Sequence, residues 1–275
     1  MGVKLTTDEI KLLKGKRKIT MLTAYDYPTA ELMDKAGIDI ILVGDSLANV
    51  VLGLESTTQV GMQEMLHHTK AVSRAVKCSL VVADMPYESY QINPRESAKN
   101  ALRFINEAKA DAIKLEWFDR CLEATDEIIK SGIAVMGHIG LTPQTADKIG
   151  GFKVQGKDAD AARRLIKQAK DLEAIGCFAL VLECVPDKIA EMITKEIKIP
   201  TIGIGAGVYC DGQVLVTNDM LGLFQRYSPK FVKKYVNISA MILKAIEEYK
   251  DEVLKEKFPG AEHSFTIKED ELKKI

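Results

Sequence analysis

The sequence contains no Cys-x-x-Cys pair, no apolar run approaching a membrane span, no long basic block and no low-complexity linker. Each absence removes a class of protein. The five cysteines, Cys78, Cys121, Cys177, Cys184 and Cys210, are odd in number and scattered. That argues against a disulfide framework and a structural zinc site, and for a reducing compartment. A membrane helix needs about 20 consecutive apolar residues, so no membrane partner is expected. The formal net charge is -1, and the Lys-rich stretches near residues 11–17 and at the C-terminus are interrupted by acids. Phosphate-backbone binding needs clustered Lys and Arg, so no nucleic-acid partner is expected either. The first residues, "MGVKLTTDEIKLLKGKRK", are polar and charged and lack a secretory signal pattern. A cytoplasmic location is the expectation.

What the sequence does contain is a repeated unit, a short apolar run followed by a polar, helix-patterned stretch. The runs are "ITMLTAYD" (19–26), "DIILVGDS" (39–46), "SLVVADMP" (79–86), "AIKLEW" (112–117), "IAVMGHIG" (133–140), "CFALVLECV" (177–185), "IPTIGIGAG" (199–207) and "GQVLVTND" (212–219). Val- and Ile-rich runs of this length fit strands buried on both faces, as in a parallel sheet. Between the fifth and sixth runs Ala162, Leu165, Ile166, Ala169, Leu172 and Ile175 recur at helix spacing; after the eighth, Ile238, Met241, Ile242, Ala245, Ile246 and Tyr249 do the same. Thr6 and Glu9 have capping-box spacing, so a helix precedes the first strand. The seventh and eighth runs are too close for a helix between them. With 275 residues, 47% of them hydrophobic, this pattern predicts one (β/α)8 TIM barrel over 1–275, with an N-terminal helical extension at 1–18 and a tail at 255–275. A doubly wound open sheet is the alternative.

The fourth run poses a question, because Lys114 and Glu116 lie two residues apart in an otherwise apolar strand and so share a face. Other runs also end in polar residues: Asp26, Asp45 and Ser46, Asp84, His138 and Glu183. In a barrel those ends converge on the face where active sites form. Asp45, Asp84 and Glu116 would make an all-oxygen site, which favours Mg²⁺ over zinc. A 2-oxo acid would fill two further positions, its carboxylate held by Lys114, Ser46 and His138, with the metal polarising its keto group. Glu183, flanked by Leu182 and Cys184, would accept or relay a proton. Asp26 reads equally well as a helix cap. "GIGAG" at 203–207 resembles a dinucleotide fingerprint, but Val208 stands where the third glycine belongs; tight turns account for these glycines. A Schiff-base role for Lys114 is opposed by Glu116, which favours the charged amine.

Taken together, "TAYDYPTA", "LVGDSLANVVLG", "HHTKAV", "ADMPY", "KLE", "GHIGLTPQ", "GGFKVQGK", "LVLECVP", "IPTIGIGAG", "DGQVLV" and "PGAEHSF" resemble the ketopantoate hydroxymethyltransferase family from Thr23 to Phe265. The resemblance implies a barrel of the phosphoenolpyruvate- and isocitrate-acting superfamily. It implies transfer of a hydroxymethyl group from 5,10-methylenetetrahydrofolate to 3-methyl-2-oxobutanoate in pantothenate biosynthesis, by a cytoplasmic homo-decamer. By motif, Asp45, Asp84 and Glu116 correspond to Mg²⁺ ligands, Asp45, Ser46, Asp84, Lys114 and His138 to substrate contacts, and Glu183 to the catalytic base. The chain departs from the family twice: Trp117 and Phe118 follow "KLE" where Gly is usual, and Asn218 stands where His is common. A competing expectation is a Mg²⁺-dependent lyase or mutase acting on another 2-oxo acid, with Cys210 as its loop thiol.

Overall fold

A computed structural model describes residues 3–275, the side chains of residues 147–149 excepted. The chain forms two compact units. The first holds the residues up to Thr217 together with Pro229–Val232; the second holds Asn218–Ser228 and Lys233–Ile275.

The first unit is a closed barrel of eight parallel strands in sequential order. They are β1 (Ile19–Thr23), β2 (Ile40–Val43), β3 (Leu80–Asp84), β4 (Ala112–Glu116), β5 (Val135–Gly140), β6 (Ala179–Glu183), β7 (Thr201–Ile204) and β8 (Gly212–Leu215). All eight expected strands are present, and β8 closes on β1 with Ile19 opposite Gly212. Helices Tyr27–Ala36, Met62–Ala75, Pro94–Asn106, Cys121–Lys130, Ala159–Ala174 and Asp187–Glu196 follow the first six strands. Residues 205–211 join β7 to β8 as a loop, as the short spacing required.

Alternation along the strands divides the core. Ile41, Val43, Val81, Ala83, Ile113, Leu115, Leu180 and Leu182 pack outward with the helices. Ile40, Leu42, Leu80, Val82, Ala112, Met136, Ala179 and Val181 fill the barrel interior. The N-terminal helix Thr7–Leu13 has the expected reciprocal cap between Thr6 and Glu9, and its fully buried Ile10 joins the interior cluster.

Carboxylates pin the N-terminal ends of the strands. Asp34 accepts from the amides of Lys77, Cys78 and Ser79; Asp111 accepts from Val81 N. Asp211 takes Thr201 N at 2.9 Å and Lys14 Nζ at 2.7 Å. Asp39 takes Thr20 N and Oγ1 at 2.9 Å, and Arg17 Nη1 at 2.8 Å. These groups finish strand ladders that would otherwise begin with unpaired donors.

The second unit is built on the helix Ile238–Leu254, none of whose residues is buried. Met241, Ile242, Ile246, Tyr249 and Val253 are exposed along it. The ring of Phe258 lies 5.6 Å from that of Tyr249 and 5.1 Å from that of His263. The residues expected as a tail include a helix, Glu269–Leu272.

Asp39 offers a test of the pinning. Burial alone would raise its carboxyl, but Arg17 and Thr20 outweigh burial and hold it below the usual carboxylate range. Its contribution is therefore complete above about pH 4 and is lost as pH falls through the depressed value. Asp39→Asn should cost about 2 kcal/mol, the worth of a charge-assisted bond. Calorimetry should then show a Tm lowered by about 4–8 °C, with the activity of the folded fraction retained. An unchanged Tm would remove Asp39 from the structural role assigned to it.

Candidate active site

In β3 to β6 the interior-facing column starts apolar and ends charged. In β3 it reads Leu80, Val82, Asp84; in β4 Ala112, Lys114, Glu116; in β5 Met136, His138; in β6 Ala179, Val181, Glu183. Parallel register brings these ends to matching levels, with Asp84 beside Lys114 and Glu116 beside His138. The pair in "AIKLEW" is thus two rungs of one inward column.

Lys114 Nζ lies 2.9 Å from Asp84 Oδ1 and 3.4 Å from His138 Nδ1. His138 stands between two carboxylates: Nδ1 is 3.5 Å from Glu116 Oε1, and Nε2 is 3.2 Å from Glu183 Oε2. Asp45 follows β2 and donates its backbone N–H to Asp84 Oδ2 at 3.0 Å. Ser46 Oγ is 2.8 Å from the Tyr25 hydroxyl, whose own carbonyl accepts from His68 Nδ1 at 2.6 Å. Asp45, Asp84, Lys114, Glu116 and His138 are all buried; Glu183 is partly open.

Burial shapes the protonation of this cluster. It pushes Asp84 up to about 6, with Lys114 working against the rise and Asp45 adding to it. For Lys114 burial pulls downward, but Asp84, Asp45 and Glu116 outweigh it and raise the pKa above its ordinary value. Lys114 is thereby held toward its charged form, and its main partner is Asp84 on the next strand. For His138 burial and the Lys114 ammonium pull downward; Glu116 and Glu183 overcome them and lift it to about 9.

The sequence did not single out Gln144 or Tyr90. Gln144 donates Nε2 to Asp45 Oδ2 at 2.7 Å and to the Met85 carbonyl at 3.1 Å. Its backbone N–H donates to Glu116 Oε2 at 3.0 Å, and the Tyr90 hydroxyl donates to its Oε1. One residue thereby ties Asp45 to Glu116. Its signal was present as the last letter of "GHIGLTPQ". Other expected residues have plain structural roles. Asp26 caps the helix Tyr27–Ala36 through Thr29 N. In "GIGAG", Gly207 has φ 79°, and a Cβ there would lie 2.5 Å from that of Asp187. Cys210 is fully buried, and burial raises its thiol pKa. Cys184 is only partly buried, with its thiol pushed by burial to about 12.

The same barrel fold occurs in solved structures that include a member of the PEP mutase/isocitrate lyase superfamily. A phosphonopyruvate hydrolase structure superposes with TM-score 0.60 at 12% identity, covering 94% of this chain and 93% of the other. A 2,3-dimethylmalate lyase of that superfamily gives 0.59 at 12% identity, with coverages of 95% and 92%. Within that fold the sequence is specific: the ketopantoate hydroxymethyltransferase family model matches residues 4–261, and the chain belongs to this family. It is 56% identical to the 3-methyl-2-oxobutanoate hydroxymethyltransferase of Enterococcus faecalis, covering 98% of each chain. It is 53% identical to that of Syntrophomonas wolfei, covering 95% of each.

The site has the charge and the donors for a divalent cation. Four carboxyl groups, Asp45, Asp84, Glu116 and Glu183, face two basic groups, Lys114 and His138, and burial pushes Glu116 up to about 7 as it pushes Asp84 up to about 6. Asp84 Oδ1 is buried and accepts no hydrogen bond, Lys114 meeting it only as an ion pair. Among the described residues no three acidic, His or Cys side chains cage a cation by themselves. Mg²⁺ does not need a cage, because it binds through one or two carboxylates and keeps waters or substrate oxygens. Asp45 and Asp84 are the adjacent pair; Glu116 turns toward Gln144 and His138.

Replacing Gln144 with leucine removes the side-chain donor to Asp45 and strands the Tyr90 hydroxyl. Outer-shell partners are worth about 10–100-fold in metal affinity. Mg²⁺ binding to Gln144→Leu, measured calorimetrically, should weaken by about that factor. Equal affinity in variant and parent would show that Gln144 does not orient Asp45.

Proposed function

We propose that the chain transfers a hydroxymethyl group from 5,10-methylenetetrahydrofolate to 3-methyl-2-oxobutanoate, giving 2-dehydropantoate for pantothenate biosynthesis. Family membership supports the reaction. The observation that carries the mechanism is the inward ring of Asp84, Lys114, Glu116, His138 and Glu183 at the C-terminal mouth of the barrel.

In this reading Asp45 and Asp84 hold Mg²⁺ directly, and Glu116 supports it from the next layer. When bound, the cation would polarise the keto oxygen of the 2-oxo acid and share the negative charge that deprotonation places there. Lys114 and His138, both cationic, and Ser46 take the substrate carboxylate. Glu183, the most open carboxylate of the ring, takes the proton from C3. The electron pair left on C3 forms the new bond to the donor's one-carbon unit as that carbon's bonds to the two folate nitrogens break; water supplies the hydroxyl group, and its remaining proton and the one held by Glu183 pass to those nitrogens as tetrahydrofolate leaves. His138, 3.2 Å from Glu183, holds the carboxylate in place between turnovers. A lyase or mutase acting on another 2-oxo acid would share much of this ring, but the buried Cys210 offers it no loop thiol.

A homo-decamer in the cytoplasm is the corresponding assembly and location. The unburied apolar stripe on Ile238–Leu254 supports association, and among the described residues no helix is long and apolar enough to cross a membrane.

The direct test is incubation with both substrates, with and without EDTA: 2-dehydropantoate should form only when both substrates and the metal are present. Product without metal would remove the proposed metal role, and no product under any condition would remove the function. Glu183→Gln should retain oxo-acid binding but slow exchange of the C3 proton into D₂O by about 10²–10⁴-fold, the worth of a general base. Exchange as fast as in the parent would pass the role to another group. Borohydride added with the oxo acid should leave Lys114 unmodified, since a charged lysine forms no imine. A stable mass increase on its peptide would overturn that assignment.

A further inference from the structure

A cavity of about 570 Å³ opens beside the charged ring, on the side of β4, β5 and the helix Ala159–Ala174. Its size suits a small organic ligand, and two of its lining residues, Gly140 and Trp117, neighbour residues of the ring. Gly140 lines it and lies in register with Glu183; a Cβ on Gly140, whose φ is 97°, would fall 2.2 Å from the Glu183 carbonyl. Trp117 lines it too, and its backbone N–H donates to the His138 carbonyl at 2.9 Å.

The lining combines three chemistries. Trp117 and Phe118 provide an aromatic wall, with Phe118 braced edge-on against Tyr90 at 5.2 Å. Gln91 Nε2 is a buried donor without a hydrogen-bond partner, and a buried donor left unpaired is costly unless a ligand meets it. Arg164, exposed on its helix, contributes a cation at the rim. A flat heteroaromatic ring with acceptor atoms, carried on a chain that ends in carboxylate, matches all three. Aromatic rings stack on the wall, the orphan amide takes a ring acceptor, and a guanidinium takes the carboxylate.

We propose that this cavity binds the tetrahydrofolate donor, with its pterin against Trp117 and Phe118, a pterin acceptor on Gln91 Nε2 and its glutamate carboxylate on Arg164. The proposal rests on the reaction read above and adds the location of its second substrate. It also assigns a role to Trp117 and Phe118, which stand where the family usually has Gly.

Trp117 is the single tryptophan of the chain, so its emission reports on this cavity without labelling. Titration with tetrahydrofolate should quench it saturably. Arg164→Ala, an exposed change that the fold tolerates, should raise the Kd from that titration by about 10–100-fold, the worth of a charge-assisted bond. Arg164→Lys should recover part of the loss, and Gln91→Leu should weaken binding independently. Absence of saturable quenching in the parent, or an unchanged Kd in both Arg164→Ala and Gln91→Leu, would overturn the proposal. Exchange of the C3 proton of the oxo acid by the parent without folate is measured in parallel. If exchange occurs but quenching does not, the donor site is wrong and the reaction stands; if quenching occurs but exchange does not, the reaction is wrong and the cavity stands.

Discussion

Lys114 is a charged group inside a barrel, and it is tolerable only because Asp84 lies one strand away at the same level. Removing one partner of such a buried pair leaves an uncompensated charge and typically costs about 3–5 kcal/mol. The same registration sets His138 beside Glu116 and Gly140 beside Glu183. A slip of one residue in any of these strands would send its polar column outward among the helices and its apolar column into the mouth. The apolar interior below, from Ile40 to Val214, and the closure of β8 on β1 hold that register. The chemistry at the mouth is thus a consequence of how the core packs.

The two ends of the barrel use the same residue types differently. At the N-terminal end Asp34, Asp39, Asp111 and Asp211 each accept from backbone amides, and Asp39 and Asp211 also meet Arg17 and Lys14. Their hydrogen-bonding capacity is used on the fold. At the C-terminal end Asp84 Oδ1 accepts no hydrogen bond and is pushed upward by burial. The four carboxylates there outnumber the cations. That clustering of acidic groups has a structural cost, which the divalent cation proposed for this end would offset.

Much of this was legible in the chain itself. The eight runs, the short link before β8, the Thr6–Glu9 cap and the helix from Ile238 all follow from periodicity and local chemistry. So does the facing of Lys114 and Glu116, which requires only a period of two. Partner choice was not legible. The spacing of "AIKLEW" sets Lys114 and Glu116 on one face but does not name the partner of Lys114, which is Asp84, because cross-strand register is not written within one strand. Gln144 and Tyr90 escaped for a related reason: both follow strand ends, where no period fixes the direction of a side chain. Asp26 lies at a strand end too, yet its side chain turned to Thr29 N, since a helix begins at the next residue.

The passage from Lys114 to Phe118 shows how one strand end can serve two ligands. Lys114 and Glu116 face the barrel axis, where the metal and the oxo acid are proposed to bind. Trp117 continues the ladder through the His138 carbonyl but packs with Phe118 against the outer layer, beside the cavity. A change at 114 or 116 would disturb a buried charge network shared with three strands. A change at 117 alters a wall of a partly open cavity, whereas Phe118 also braces Tyr90, whose hydroxyl donates to Gln144 and so reaches that network. The reacting groups and the proposed donor wall are thus adjacent in sequence, and alternation turns Lys114 and Glu116 to the axis while Trp117 packs with the outer layer.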